Sequence, residues 1–241
     1  AGRIWREYRR QLPLAYQSRV DLKGRFGVAL ESTDLDFNRQ LELLEKLEGV
    51  SVLLRFCHHE GMSCWKEGVA QVKELVASGR KVMIAMVQDR GAVSEPDSWA
   101  RFLSFVLDEI GGLVTAVEIC HAVNRMKWGV HGPDDQVALL SPLVKLQEKF
   151  PEITFTGPAC IDFEYHYVLS AFESAPDGLH YGALSHHLYV DRRGAPENFQ
   201  GRFSTLEKCG LLRAIARVVP ACDDQVIISE VNWPLEGGGI W

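Results

Sequence analysis

The stretch AVEICHAVNRMKWG, Ala116–Gly129, begins as one kind of structure and ends as another. Its first residues, with Val114 and Thr115 ahead of them, are apolar and β-favouring, as in a strand covered on both faces. From His121 onward the run turns polar and aromatic, as in a loop leaving a strand end. The same grammar recurs along the chain. Strands are expected over residues 25–30, 50–56, 81–87, 114–120, 153–157, 181–189 and 225–231, several of them nearly continuous apolar runs. Between them, residues 34–49, 66–80, 97–112, 134–150, 167–175 and 204–219 set apolar side chains at helical spacing. The first of these ends in Gly49, a helix-capping residue type.

Alternating strand and helix argues for a parallel α/β sheet. No GxGxxG turn follows the first strand, where ALESTD (residues 29–34) stands instead, so a doubly wound dinucleotide fold is disfavoured. The expectation is one domain over residues 1–241, a (β/α)8 TIM barrel whose eighth β/α unit is missing from this chain. Open edges on strands one and seven leave backbone groups unpaired, so a further segment or domain is expected to complete the ring.

Composition narrows the function classes. A hydrophobic content of 46% with 24% charged residues is that of a globular domain. The formal net charge of −6 argues against nucleic acid, which needs a basic face. RIWREYRR, residues 3–10, reads as a solvated amphipathic helix, with a contact surface for another domain as the alternative. No apolar run reaches the roughly 20 residues of a membrane span, and the start lacks the apolar core of a signal peptide. Six cysteines without CxxC spacing read as buried thiols of a reducing compartment, which points to the cytoplasm.

Barrels of this kind gather their chemistry at the carboxyl ends of the strands. Those ends offer Glu31 and Ser32; Arg55, His58 and His59; Gln88, Asp89 and Arg90; His121 and Asn124; Asp162 and Glu164; His186, His187 and Tyr189; and Glu230, Asn232 and Trp233. Glu230 is the sharpest of them. VIISEVNWP sets a carboxylate after a β-favouring run and before Asn, Trp and Pro, which end the strand. A strand-end Glu can be a salt-bridge partner, or a nucleophile in a sugar-lined pocket where Trp233 gives a pyranose ring an apolar face. Lys127 and Trp128 read equally as a pocket wall and as a plug on the rim.

These residues resemble the retaining glycoside hydrolases with a (β/α)8 barrel, above all the β-xylosidase and exopolysaccharide-hydrolase-like branch of that clan. There strand seven ends in the nucleophilic Glu, as ISEVNW does at Glu230. Strand six supplies a His or Tyr beside it, as SHHLY does with His187 and Tyr189. Strand two supplies a supporting Arg, as LLRF does with Arg55, and TGPA (156–159) resembles the clan's Gly-Gly-Pro-Ala-like end of strand five. The resemblance implies a carbohydrate ligand held by Arg55, His58, Asn124, Asp162, His187, Tyr189 and Trp233.

Strand four departs from the pattern. The clan's Glu-Ile-Gly-Asn-Glu-Pro-Asn, laid on EICHAVN, matches at Glu118 and Asn124 but puts Ala122 where the general acid/base stands. Losing general acid catalysis costs about 10²–10⁴-fold. Either another group donates the proton or the site binds glycans without cutting them. His121 adjoins the gap and titrates near neutrality when unperturbed, although neighbouring strand residues face opposite ways unless a bulge redirects one. Glu118 shares the face of Ala122 but lies deeper, and Asp162 or Glu164 could reach across from strand five. A metal-dependent barrel hydrolase is the lesser alternative. Its zinc-ligand types are present in Cys57, His58, His59, Cys120, His121, His186 and His187. Adjacent His pairs chelate poorly, however, and strand one has no HxH, so neither metal nor cofactor is expected.

Overall fold

The structure, a computed structural model, describes residues 1–31, 37–47, 49–189 and 198–231. Seven parallel strands form one sheet: β1 (Gly27–Leu30), β2 (Ser51–Cys57), β3 (Val82–Val87), β4 (Ala116–Ile119), β5 (Thr154–Ile161), β6 (Ala183–His187) and β7 (Val226–Glu230). Helix α1 (Gly2–Gln17) precedes them. The crossovers are α2 (Phe37–Glu45), α3 (Gly61–Ala77), the pair α4 (Arg90–Ser94) and α5 (Pro96–Ile110), α6 (Pro133–Lys149), α7 (Tyr165–Glu173) and α8 (Thr205–Val218).

The strand order is the sequence order, β1 through β7. Every crossover steps one place the same way, as in a barrel, whereas a doubly wound sheet reverses at a switch point. The sheet is also curled. In a flat sheet β2 and β7 would lie about 24 Å apart, five spacings of about 4.8 Å. Instead Arg55 of β2 reaches to 3.7 Å from Glu230 of β7. Among the described residues β1 and β7 do not pair with each other, so the arc is open there.

Curling separates an inner from an outer face. On β2 the alternate residues Val52, Leu54 and Phe56 are buried, and the Phe56 ring lies against Gly68 of α3. The opposite parity carries Arg55. Register places Arg55 beside Ala85, Ala85 beside Glu118 and Glu118 beside Thr156, so one lateral row crosses the inner face from β2 to β5. The middle strands β3 to β6 are buried almost throughout, which explains their near-continuous apolar sequences, while β1 and β7 are partly exposed.

Three elements differ from the sequence expectation. The amino-terminal helix is longer than RIWREYRR and only half solvated. Ile4, Tyr8 and Gln11 are buried against α8, where Gln11 donates to the Gly210 carbonyl at 2.6 Å and Arg217 pairs with Glu7 at 3.0 Å. Its basic side lines an open groove of about 460 Å³ with Trp5, Arg6, Arg9 and Arg202. Strand β5 runs four residues beyond Gly157, because a register shift between Pro158 and Cys160 lets the ladder pass the proline. The short α4 was not legible as a helix; Asp89 caps it by accepting from the Ala92 N–H at 2.7 Å. None of the described helices is long and apolar enough to cross a membrane.

Candidate functional site

Irregular backbone concentrates at the carboxyl ends of β4 to β7. Among the described residues, four other than glycine have positive φ, all within β5 or just after β4 and β5: Cys120 (69°), Ala122 (42°), Ala159 (52°) and Asp162 (65°). Such conformations cost about 1–3 kcal/mol each and tend to cluster at functional sites. Their geometric effect is clear at His121. Regular alternation would put it on the face opposite Glu118, three positions earlier. The left-handed turn at Cys120 breaks that alternation, and the His121 ring comes to 4.5 Å from that of His187. Gln88, at the end of β3, holds the His121 backbone from both sides: its amide donates to the His121 carbonyl and accepts from the His121 N–H, each at 2.8 Å.

A second device aims Glu230. The β6–β7 register passes from His186 opposite Ile228 to His187 opposite Glu230, leaving Ser229 as an extra residue. This bulge allows Ser229 and Glu230 both to serve the inner face, which strict alternation forbids. The Tyr189 hydroxyl then donates to Glu230 Oε1 at 2.7 Å, and Arg55 stands 3.7 Å from Oε2 while also facing Glu31 at 3.6 Å.

Electrostatics follow from this crowding. Burial pushes the Glu230 pKa upward, but the charge of His187, the Tyr189 hydrogen bond, His121 and Arg55 outweigh it, so the carboxyl is held below its ordinary value. Burial and the Glu230 charge raise the Tyr189 phenol, which stays protonated and remains the donor. Beneath them His187 Nε2 donates to Glu118 Oε1 at 3.3 Å, with both side chains buried. Burial opposes charge on each, yet their mutual attraction prevails: the Glu118 pKa is lowered and that of His187 is raised. His121 goes the other way. Burial and then the neighbouring His187 charge push it down to about 3, leaving a neutral imidazole at neutral pH. The Trp128 ring covers its edge at 4.4 Å, with Lys127 over the indole.

The structure therefore groups Arg55, His121, His187, Tyr189 and Glu230. It places the other sequence-derived candidates differently. His58 is carried away from this group by a 3-10 turn, His58–Glu60, and lies among Trp65, Trp99 and Phe102. Its Nδ1–H donates to Asp89 at 3.0 Å and its Nε2 lies 3.1 Å from the Ser98 hydroxyl. The Asn124 amide braces β5, donating to the Ile161 carbonyl and accepting from the Ile161 N–H, and also meets Glu164. Asp162 and Glu164 both pair with Arg125. Burial opposes ionisation of Glu164, but Arg125 and Asn124 keep its pKa low. His186 points outward and donates to the Asp162 carbonyl at 2.9 Å. Ser32, Asn232 and Trp233 lie outside the described residues. Ala122 is fully buried.

Sequence reasoning missed three contributors: Glu118 as the partner of His187, Gln88 as the clamp on His121, and Arg125 as the cation between Asp162 and Glu164. Strand parity puts Glu118 and His187 on inner faces, but β5 separates their strands and only the curl lets them meet. Among the described residues, Glu118, His121 and His187 are also the set able to share a metal ion, with one ligand atom from each lying within 4.8 Å of the others.

No family model and no curated protein matches the chain. Similar solved structures include the complex of the virulence factor SghA with its substrate analog salicin, at 13% identity and a TM-score of 0.43 over 73% of this chain. The family 1 β-glucosidase from Thermotoga maritima is similar at 12% identity and 0.42 over 64% of this chain. SghA from Agrobacterium tumefaciens is similar at 13% identity and 0.45 over 91%. The chain spans 65%, 53% and 72% of those three proteins, respectively.

Proposed function

We propose that the chain carries a glycan site of the retaining-glycosidase kind, in which Glu230 is the carboxylate facing the anomeric carbon. The observation that carries this reading is the setting of Glu230. A strand-end carboxylate is held ionised by the charge of buried His187, the Tyr189 hydrogen bond and the Arg55 charge, which converge from β2 and the β6 end. An anion fixed in this way suits attack on an oxocarbenium-like centre. The carbohydrate enters over the carboxyl rim. The partly exposed edges of β1 and β7 suit a further segment that closes the ring.

Among the described residues the second half of the usual pair is not found. Retaining cleavage needs a protonated group about 5–5.5 Å from the nucleophile to release the leaving oxygen. Ala122 has no proton to give, His121 is neutral, and Glu118 and Glu164 are ionised. The site therefore holds ordinary glycans without cutting them efficiently. It reacts covalently only where the leaving group departs without protonation, and the resulting glycosyl ester lacks a base to activate water.

A panel of dinitrophenyl glycosides tests this. The expected result is a burst of about one equivalent of dinitrophenolate with the matching sugar, then a slow phase accelerated by azide, a nucleophile that needs no base. Glu230→Gln removes the burst. Absence of a burst across the panel, together with no saturable glycan binding by calorimetry, overturns the reading.

A further inference from the structure

We infer that Glu118, His121 and His187 form a binding site for a divalent transition metal, suited to zinc, on the inner face of the sheet near Glu230. The three side chains come from β4, from the turn after β4 and from β6, and they are only 1%, 4% and 1% exposed. One ligand atom from each lies within 4.8 Å of the other two.

The spacing of the tightest pair is informative. His187 Nε2 and Glu118 Oε1 are 3.3 Å apart. A charge-assisted hydrogen bond between an imidazolium and a carboxylate settles at about 2.7–2.9 Å. Two ligands on one tetrahedral zinc, with Zn–N and Zn–O bonds of about 2.0–2.2 Å, stand about 3.3–3.5 Å apart. The separation is thus long for the hydrogen bond and matches two ligands of a shared ion. His121 closes the set by a small swing of a ring whose backbone Gln88 already clamps on both sides.

A second observation points the same way. Glu118 Oε2 is a buried side-chain atom without a hydrogen bond of full geometry, and the groups beside it are the Ser185 and Ser229 hydroxyls. Such an atom costs about 1–3 kcal/mol if left unsatisfied. A cation offers Glu118 a use for its spare oxygen, and the two serine hydroxyls flank this carboxylate as outer partners that orient it. Two imidazoles and one carboxylate are also a known donor set for zinc sites that keep a fourth position open. The adjacent-histidine objection does not apply, because His186 points outward and each ligating imidazole comes from a different strand end.

This inference does not depend on the glycan reading, and metal binding alone tests it. Chelator-treated protein is titrated with Zn²⁺ by calorimetry and with Co²⁺ by visible absorption. One equivalent should bind, and Co²⁺ should show the intense d–d bands of four-coordinate nitrogen and oxygen ligation without a thiolate charge-transfer band. His121→Ala should weaken binding by more than the about 10–100-fold typical of losing an outer partner, with circular dichroism unchanged; His59→Ala should leave it intact. Glu118→Gln serves as a second ligand variant where it folds. No uptake by folded wild-type protein, uptake indifferent to His121→Ala, or a thiolate band each overturns the assignment.

Discussion

Replacing Glu118 by Gln isolates the buried pair on which the site rests. Glu118 and His187 are each 1% exposed and their nearest atoms are 3.3 Å apart. At an effective dielectric constant of about 20, that separation corresponds to about 5 kcal/mol of attraction. Desolvating two ions costs several kcal/mol apiece, so the intact pair adds little net stability. Removing one partner is different, because it strands the other charge, and the loss is then about 3–5 kcal/mol.

The pH dependence has a defined sign. The folded pKa of His187 is raised, so its contribution is full below 6.5, its ordinary value, and fades as pH rises through the raised value. The folded pKa of Glu118 is lowered, so its contribution is present above 4.5 and fades as pH falls through the lowered value. The gap between wild type and Glu118→Gln is therefore widest between 4.5 and 6.5 and narrows on both sides. Urea unfolding followed by fluorescence, with chelator present and across about pH 4 to pH 9, gives the gap as a shifted midpoint at constant slope. The double variant Glu118→Gln, His187→Gln should recover much of the loss, since no charge is stranded. A single-variant loss below about 1 kcal/mol, or one flat with pH, refutes the pairing.

Tyr189→Phe removes the 2.7 Å hydrogen bond to Glu230 and should raise its pKa; a bond to a charged group is worth about 1.5–3 kcal/mol, or about 1–2 pH units. Carbon-labelled glutamate NMR reads the titration directly, and an unmoved Glu230 contradicts the described contact. Gly129→Ala should destabilise by at least about 1–2 kcal/mol, because Gly129 has φ 89° and a Cβ there would stand 2.4 Å from the Asp89 carbonyl carbon. A wild-type melting temperature for that variant contradicts the seating of the 126–129 turn on the end of β3.

The parallel α/β architecture was legible because it depends on local pattern. β-Favouring apolar runs such as VMIAMV alternate with amphipathic ones such as WARFLSFVLDEI, and the order of strands follows when each crossover steps once. The strand-end positions of Arg55, His187, Tyr189 and Glu230 were legible for the same reason. What escaped depends on backbone irregularity or on curvature. Cys120 carries no mark that it turns left-handed, as a glycine would, so the inward aim of His121 stayed hidden. The bulge at Ser229 is equally silent. Pairing of Glu118 with His187 spans 69 positions and skips a strand. His58 follows a strand end in sequence, yet a single 3-10 turn commits both its nitrogens to Asp89 and Ser98. Asn124 and Asp162 occupy rim positions, but their polar groups brace β5 and pair with Arg125.

The central claim is that Glu230 is the carboxylate facing the anomeric carbon of a bound sugar. Incubation with fluorosugar dinitrophenyl glycosides, followed by intact-mass measurement and peptide mapping, tests it most directly. The account predicts a single glycosyl adduct on the peptide containing Glu230, persistent without azide and absent in Glu230→Gln. An adduct mapped to another residue, or an unlabelled protein that also fails to bind any sugar of the panel, contradicts it.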